Sequence, residues 1–202
     1  MTTARLLVPP ALMAASALAG QTIAQPPAPS PEPVRCHLSE ADLAANARLT
    51  FQQFDQDGTT PATARKLGER NCFGEAVRAT EHYLIHGPVL DPNQRIVVTW
   101  HLGQFLVLAG NEHEAARIIV TARRPADPER PAFDWNSYVI GTWAFLVRDR
   151  PLLEMSARTL RATGAPNALN ADKLERLLRC FDQSYREAYL GAACAAPSGA
   201  GG

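Results

Sequence analysis

Residues 92–122 read PNQRIVVTWHLGQFLVLAGNEHEAARIIVTA, and this stretch decides the fold. Leu102 and Leu106, then Ala115, Ile119 and Ala122, recur at three- and four-residue steps, the spacing that puts side chains on one face of an α-helix. Gly110-Asn111 interrupts the pattern and marks a turn between two helices, Pro92–Gly110 and Glu112–Arg123. The same period extends outward from Ser39 to Leu190 with almost no period-two alternation, so an all-α chain is expected.

Ser39, with Asp42 three residues on, caps a first helix that runs through Leu43, Ala47, Phe51 and Phe54 to a stop at Asp57-Gly58. A second helix begins near Pro61, and a third follows Asn71 to Gly87-Pro88. After the central pair, Trp135–Val147, Pro151–Ala162 and Ala171–Leu190 complete about eight helices.

The central stretch repeats. Leu102-Gly103, Leu106, Gly110, Ala115, Ile119 and Ala122 have an upstream counterpart in Ala64, Leu67, Phe73, Ala76, Thr80 and Tyr83. A downstream counterpart runs through Gly141, Ala144, Leu153, Ala157 and Leu160. The three small residues Ala64, Gly103 and Gly141 lie 39 and 38 residues apart. This pattern resembles the tetratricopeptide repeat, in which a small residue lets the first helix of a hairpin cross the second closely. The family period is about 34 residues, and the extra residues fit in the proline-bearing linkers 87–94 and 125–131. The sequence departs from the family where an aromatic is expected after the hairpin turn: Glu112 stands there in the central copy and Arg150 in the last. The resemblance implies stacked antiparallel helical hairpins, a short solenoid with a C-terminal capping helix; a non-repetitive bundle is the alternative. The chain is also similar to exported bacterial proteins of unassigned function.

The body spans 36–194 and the flanks are of other character. Residues 1–24 hold one base, Arg5, no acid, and an apolar run broken by Pro9-Pro10, with Ala17-Leu18-Ala19 or Thr22-Ile23-Ala24 as a cleavage site; this reads as a signal peptide, or else as a buried N-terminal helix. Residues 25–35 are a proline-rich tether, and 195–202 a disordered tail. A secreted or periplasmic location follows. The 202 residues carry 20 bases against 20 acids, and 46% are hydrophobic. That balance gives no electrostatic reason to bind nucleic acid or an anionic membrane, and no run is long enough for a membrane span.

Four cysteines in an exported chain point to disulfides, and four allow three pairings. Cys36 precedes the first helix and Cys72 sits at the turn after the second, so antiparallel packing brings them together. Cys180 would then bond Cys194, although a continuous helix would separate them by about 21 Å, far beyond the roughly 6 Å a disulfide permits. That pairing requires the last helix to end near Tyr189, with Gly191 turning the chain back. Otherwise Cys180 is a buried free thiol.

Catalytic signatures are sparse. His113-Glu114 begins like a zinc-protease helix, but Arg117 stands where the second imidazole is needed. Asp55-Gln56-Asp57-Gly58 suggests a calcium loop whose first and closing ligand positions are Gln53 and Ala64, neither of them acidic. Phosphate loops, nucleophile elbows and dinucleotide fingerprints are missing. No cofactor and no resident metal are expected. His82 and His86 share a helical face and form the alternative, a metal-binding protein or enzyme with Glu81 or Asp91 as third ligand.

In tetratricopeptide-like stacks the first helices of the hairpins line a groove. The resemblance carries onto Arg65 and Glu69, then Val97, Trp100, Gln104, Val107 and Leu108, then Trp135, Tyr138, Thr142, Phe145 and Leu146. This implies a non-catalytic module that binds a protein or peptide in the cell envelope through aromatic anchors. Two alternatives stand beside it. The terminal helix 171–190 folds over the groove and completes the core, or the chain is a structural domain that self-associates as a homo-oligomer.

Overall fold

A computed structural model describes residues 36–125 and 133–195. The signal peptide, the tether, the tail beyond residue 195 and most of the 125–131 linker lie outside the described residues. Within them the chain is all helical, a stack of antiparallel hairpins: α1 (Glu40–Asn46), α2 (Ala64–Glu69), α3 (Phe73–His86), α4 (Pro92–Leu108), α5 (Glu112–Ile119), α6 (Trp135–Leu146), α7 (Arg150–Ala162), α8 (Ala168–Arg179) and α9 (Tyr185–Leu190). Each of α2 to α8 packs on the next helix in the chain.

One turn is built three times. α2, α4 and α6 all end on a residue with positive φ: Asn71 at 61°, Gly110 at 96° and Arg148 at 60°. In each case the following N–H reaches back five residues, Cys72 to Leu67 O (2.9 Å), Asn111 to Leu106 O (2.9 Å) and Asp149 to Ala144 O (2.8 Å). This is the Schellman closure of a helix, which satisfies carbonyls that would otherwise be orphaned. The three turns are spaced as Ala64, Gly103 and Gly141 are. Only the central copy has glycine at the left-handed position, so Asn71 and Arg148 adopt that conformation at a steric cost that the surrounding packing offsets.

The small residues sit at close approaches. A Cβ on Gly103 would overlap Cγ1 of Ile119 on α5, the hairpin mate. A Cβ on Gly141 would meet Leu174 of α8 and come within 3.0 Å of Cβ of Ser156 on α7. Ala64 is buried at 3% exposure, while the tight contact of α2 lies one turn on, where a Cβ on Gly68 would stand 2.6 Å from the Phe105 ring of α4.

Two expected helices are broken. The first ends at Asn46, whose buried amide donates to Ala62 O at 2.8 Å. The chain then restarts as a π-helical turn, Gln52–Asp57, closed by left-handed Gly58. The expected 171–190 helix is two helices, α8 and α9. It stops at Cys180, and Ser184 starts α9 through a reciprocal cap with Glu187. Local capping here overrides a continuous apolar period. That break, together with the expected end of the last helix at Leu190 and the turn through Gly191, brings Cys180 to 5.8 Å (Cα–Cα) from Cys194. Cys36 and Cys72 lie 5.3 Å apart, and both pairs are at disulfide bonding distance.

The core forms two clusters. One gathers α1, the π-helical turn, α2 and α3 around Phe54 stacked on Tyr83 (3.9 Å), whose hydroxyl donates to Leu49 O at 3.0 Å. The larger one joins α4 to α9 around Trp100, Tyr138, Phe145 and Tyr185. Among the described residues no helix is long and apolar enough to cross a membrane.

Candidate functional site

The face shared by the first helices of the hairpins is built by α2, α4 and α6, and most of it is filled. Trp100, Val107, Leu108, Tyr138, Thr142 and Phe145 are buried, and Val97, Trp135 and Leu146 are half-buried. The rings of Trp100 and Tyr138 lie 4.9 Å apart and those of Trp100 and Trp135 5.4 Å. Of the two expected states of this face, open or covered by the terminal helix, its aromatic part is in the covered one, because α9 packs against α4. Its Tyr185 is fully buried, set edge-on to Phe145 at 5.8 Å and stacked on Tyr189 at 5.2 Å. Burial among these rings pushes the Tyr138 and Tyr185 phenols well above their ordinary range, neighbouring phenols adding to the effect.

The segment leading into α9 crosses the turn end of all three hairpins and touches the same register position in each. Arg186 lies over the Phe73 ring (5.4 Å), Glu112 accepts the N–H of Tyr185 (2.7 Å), and Arg150 lies over the Phe181 ring (4.5 Å). Glu112 and Arg150 are the two departures from the aromatic that the tetratricopeptide resemblance implies at this position. The departures thus hold the C-terminal cap, a role visible only once residues 181–186 are in place. Arg148 adds hydrogen bonds to the carbonyls of Phe181 and Gln183. Arg176 holds those of Ala188 and Gly191, and Arg179 that of Cys194.

What stays open lies at the other end of the face. A cavity of about 210 Å³ between α2 and α4 is lined by Asp55, Arg65, Gly68, Glu69, His101, Gln104, Phe105 and Leu108. Arg65, Glu69 and Gln104 belong to the expected groove; Asp55 and His101 do not. The π-helical turn carries Asp55 inward until its side chain is 4% exposed, and Oδ1 stands 2.7 Å from Nδ1 of His101. Gln56 donates to the other carboxylate oxygen. Arg65 donates from Nε to the Asp55 carbonyl at 2.6 Å, and its two Nη groups have no protein partner among the described residues. Glu69 is paired with Lys66 at 2.8 Å. The sequence signal for Asp55 was the acidic DQDG stretch. His101 offered none, since its partner is 46 residues away.

The histidine pair sits elsewhere. His82 and His86 have ring centroids 4.4 Å apart on α3, and Nδ1 of His82 is buried without a hydrogen-bond partner. Glu81 is exposed. Asp91 is engaged as the N-cap of α4, accepting from Gln94 N at 2.8 Å. Among the described residues no three His, Cys, Asp or Glu side chains are grouped to hold a metal ion. No protein-family model, no curated protein and no solved structure matches this chain.

Proposed function

We propose that the chain is an exported tetratricopeptide-like module that binds a polypeptide partner in the periplasm or outside the cell. The observation that supports this most is the threefold hairpin turn at Asn71, Gly110 and Arg148, because a regular stack of hairpins generates one continuous face from equivalent positions. On that face α9 occupies the aromatic part as the chain's own capping helix. A partner then engages the polar remainder at Arg65, Glu69 and Gln104. Two disulfides and an N-terminal segment of export type suit an oxidising compartment.

The test is site-specific photo-crosslinking in intact cells. A photoreactive residue at Glu69 should give one discrete adduct, whereas the same residue at Arg158 on α7 should give none. Absence of an adduct at Glu69, or equal labelling at both positions, overturns the reading.

A further inference from the structure

The Asp55–His101 pair has the makings of a reactive site. A buried carboxylate that accepts the Nδ1 proton of a histidine settles the tautomer and leaves Nε2 as the free ring nitrogen, oriented by its partner. His101 has no other hydrogen bond among the described residues, and its side chain, 24% exposed, lines the cavity. Asp55 reaches this position on a π-helical turn, an irregularity that costs helix regularity and recurs at functional sites.

The other lining groups complement the pair. The Arg65 guanidinium is oriented through Nε and keeps both Nη groups available as donors toward a developing negative charge. Phe105, pressed against Gly68, and Leu108 supply an apolar wall on one side of the cavity. A cavity of about 210 Å³, open to solvent on one side, has room for a small acyl group.

We propose that this cavity hydrolyses small carboxylic esters, with His101 as general base and Asp55 as its positioning residue. Nε2 removes a proton from a water molecule as the water oxygen bonds to the ester carbonyl carbon. The carbonyl π-electron pair moves to oxygen, which becomes an oxyanion facing the Arg65 Nη groups. The oxyanion collapses and the carbon–alkoxide bond breaks. The departing alkoxide takes the proton held on Nε2, and the products are one carboxylic acid and one alcohol. The cavity shares Arg65, Glu69 and Gln104 with the face assigned to the partner, so the assay uses the chain alone, and hydrolysis without a crosslinked adduct, or an adduct without hydrolysis, separates the two readings.

The experiment follows p-nitrophenyl acetate hydrolysis by the full disulfide-bonded chain. The expected rate saturates with substrate. His101→Ala should lower kcat at least a hundredfold, and added free imidazole should restore part of it, which a purely structural histidine would not allow. Asp55→Asn should lower kcat about tenfold or more with KM within about twofold, and Arg65→Met should also lower kcat. His113→Gln and His86→Gln measure the background of exposed imidazoles and should leave the saturable rate unchanged. Circular dichroism identifies any variant that does not fold, and Arg65→Met keeps the test decisive if Asp55→Asn is one. An unsaturable rate, a wild-type rate in His101→Ala, or no effect in folded Arg65→Met overturns the proposal.

Discussion

The carboxylate of Glu112, at the start of α5, accepts the backbone N–H of Tyr185, at the start of α9, at 2.7 Å. It ties the capping helix to the middle hairpin across 73 residues. A hydrogen bond to a charged group contributes about 1.5–3 kcal/mol, and the partial exposure of Glu112 places this one at the low end. Glu112→Ala should therefore lower unfolding free energy by about 1–2 kcal/mol. Glu112→Gln, which keeps an acceptor, should lose less. Urea denaturation of the two variants checks the order; equal losses would mean that the contact does not anchor α9.

The approach of Gly103 to Ile119 leaves no room for a Cβ. Gly103→Val must push α4 away from α5 or force Ile119 out of its rotamer, at about 3 kcal/mol. For a body of this size that corresponds to a fall in Tm of about 10 °C. Gly110→Ala has open space around it and only the positive φ against it, so its loss should be smaller, about 1 kcal/mol. Thermal unfolding of both variants separates crowding from backbone strain.

Two hydroxyls in the filled face, Thr142 Oγ1 and Tyr185 Oη, are buried without a hydrogen-bond partner. Removing an unsatisfied buried polar atom while keeping the shape removes a desolvation cost. Thr142→Val and Tyr185→Phe are expected to be neutral or to stabilise by up to about 1–2 kcal/mol. A loss above about 1 kcal/mol in chemical denaturation would contradict this.

Alkali should weaken the fold through its tyrosines. Burial, with Asp55 as the lesser cause, pushes the Tyr83 phenol up to about 12, and burial also holds Tyr138 and Tyr185 well above their ordinary range. Unfolded phenols ionise near 10, so the folded chain binds more protons than the unfolded one above that pH. The corresponding stability is complete below about pH 10 and is lost as pH rises through about 12 and beyond. Phenolate absorbance should then appear together with unfolding rather than ahead of it. A stopped-flow pH jump that ionised Tyr83, Tyr138 and Tyr185 before the helical signal changed would sink this expectation.

The all-α class, the boundaries of α3, α4, α6 and α7 and the first disulfide were legible in the chain because they depend on apolar period, glycine stops and proximity along one hairpin. The same local logic failed where capping competes with period: Thr50, whose backbone N–H and hydroxyl pair reciprocally with Gln53, and Ser184 start new helical segments inside runs that read as continuous. His101 escaped notice for a different reason. A lone histidine in an apolar helix carries no local mark, and its meaning comes from Asp55 on another element.

Periodicity, small residues and turn signals are properties of near neighbours, so the helical hairpins and the places where three of them turn follow from the local amino-acid pattern. Whether their shared face stays open was decided by the tertiary structure alone. That outcome depends on α9 returning to α4, on Glu112, Arg150 and Phe73 meeting residues 181–186, and on Cys180 reaching Cys194. Apart from the short Cys180–Cys194 closure, these contacts join residues from about thirty to more than a hundred positions apart, and no local pattern encodes which of them will pack together.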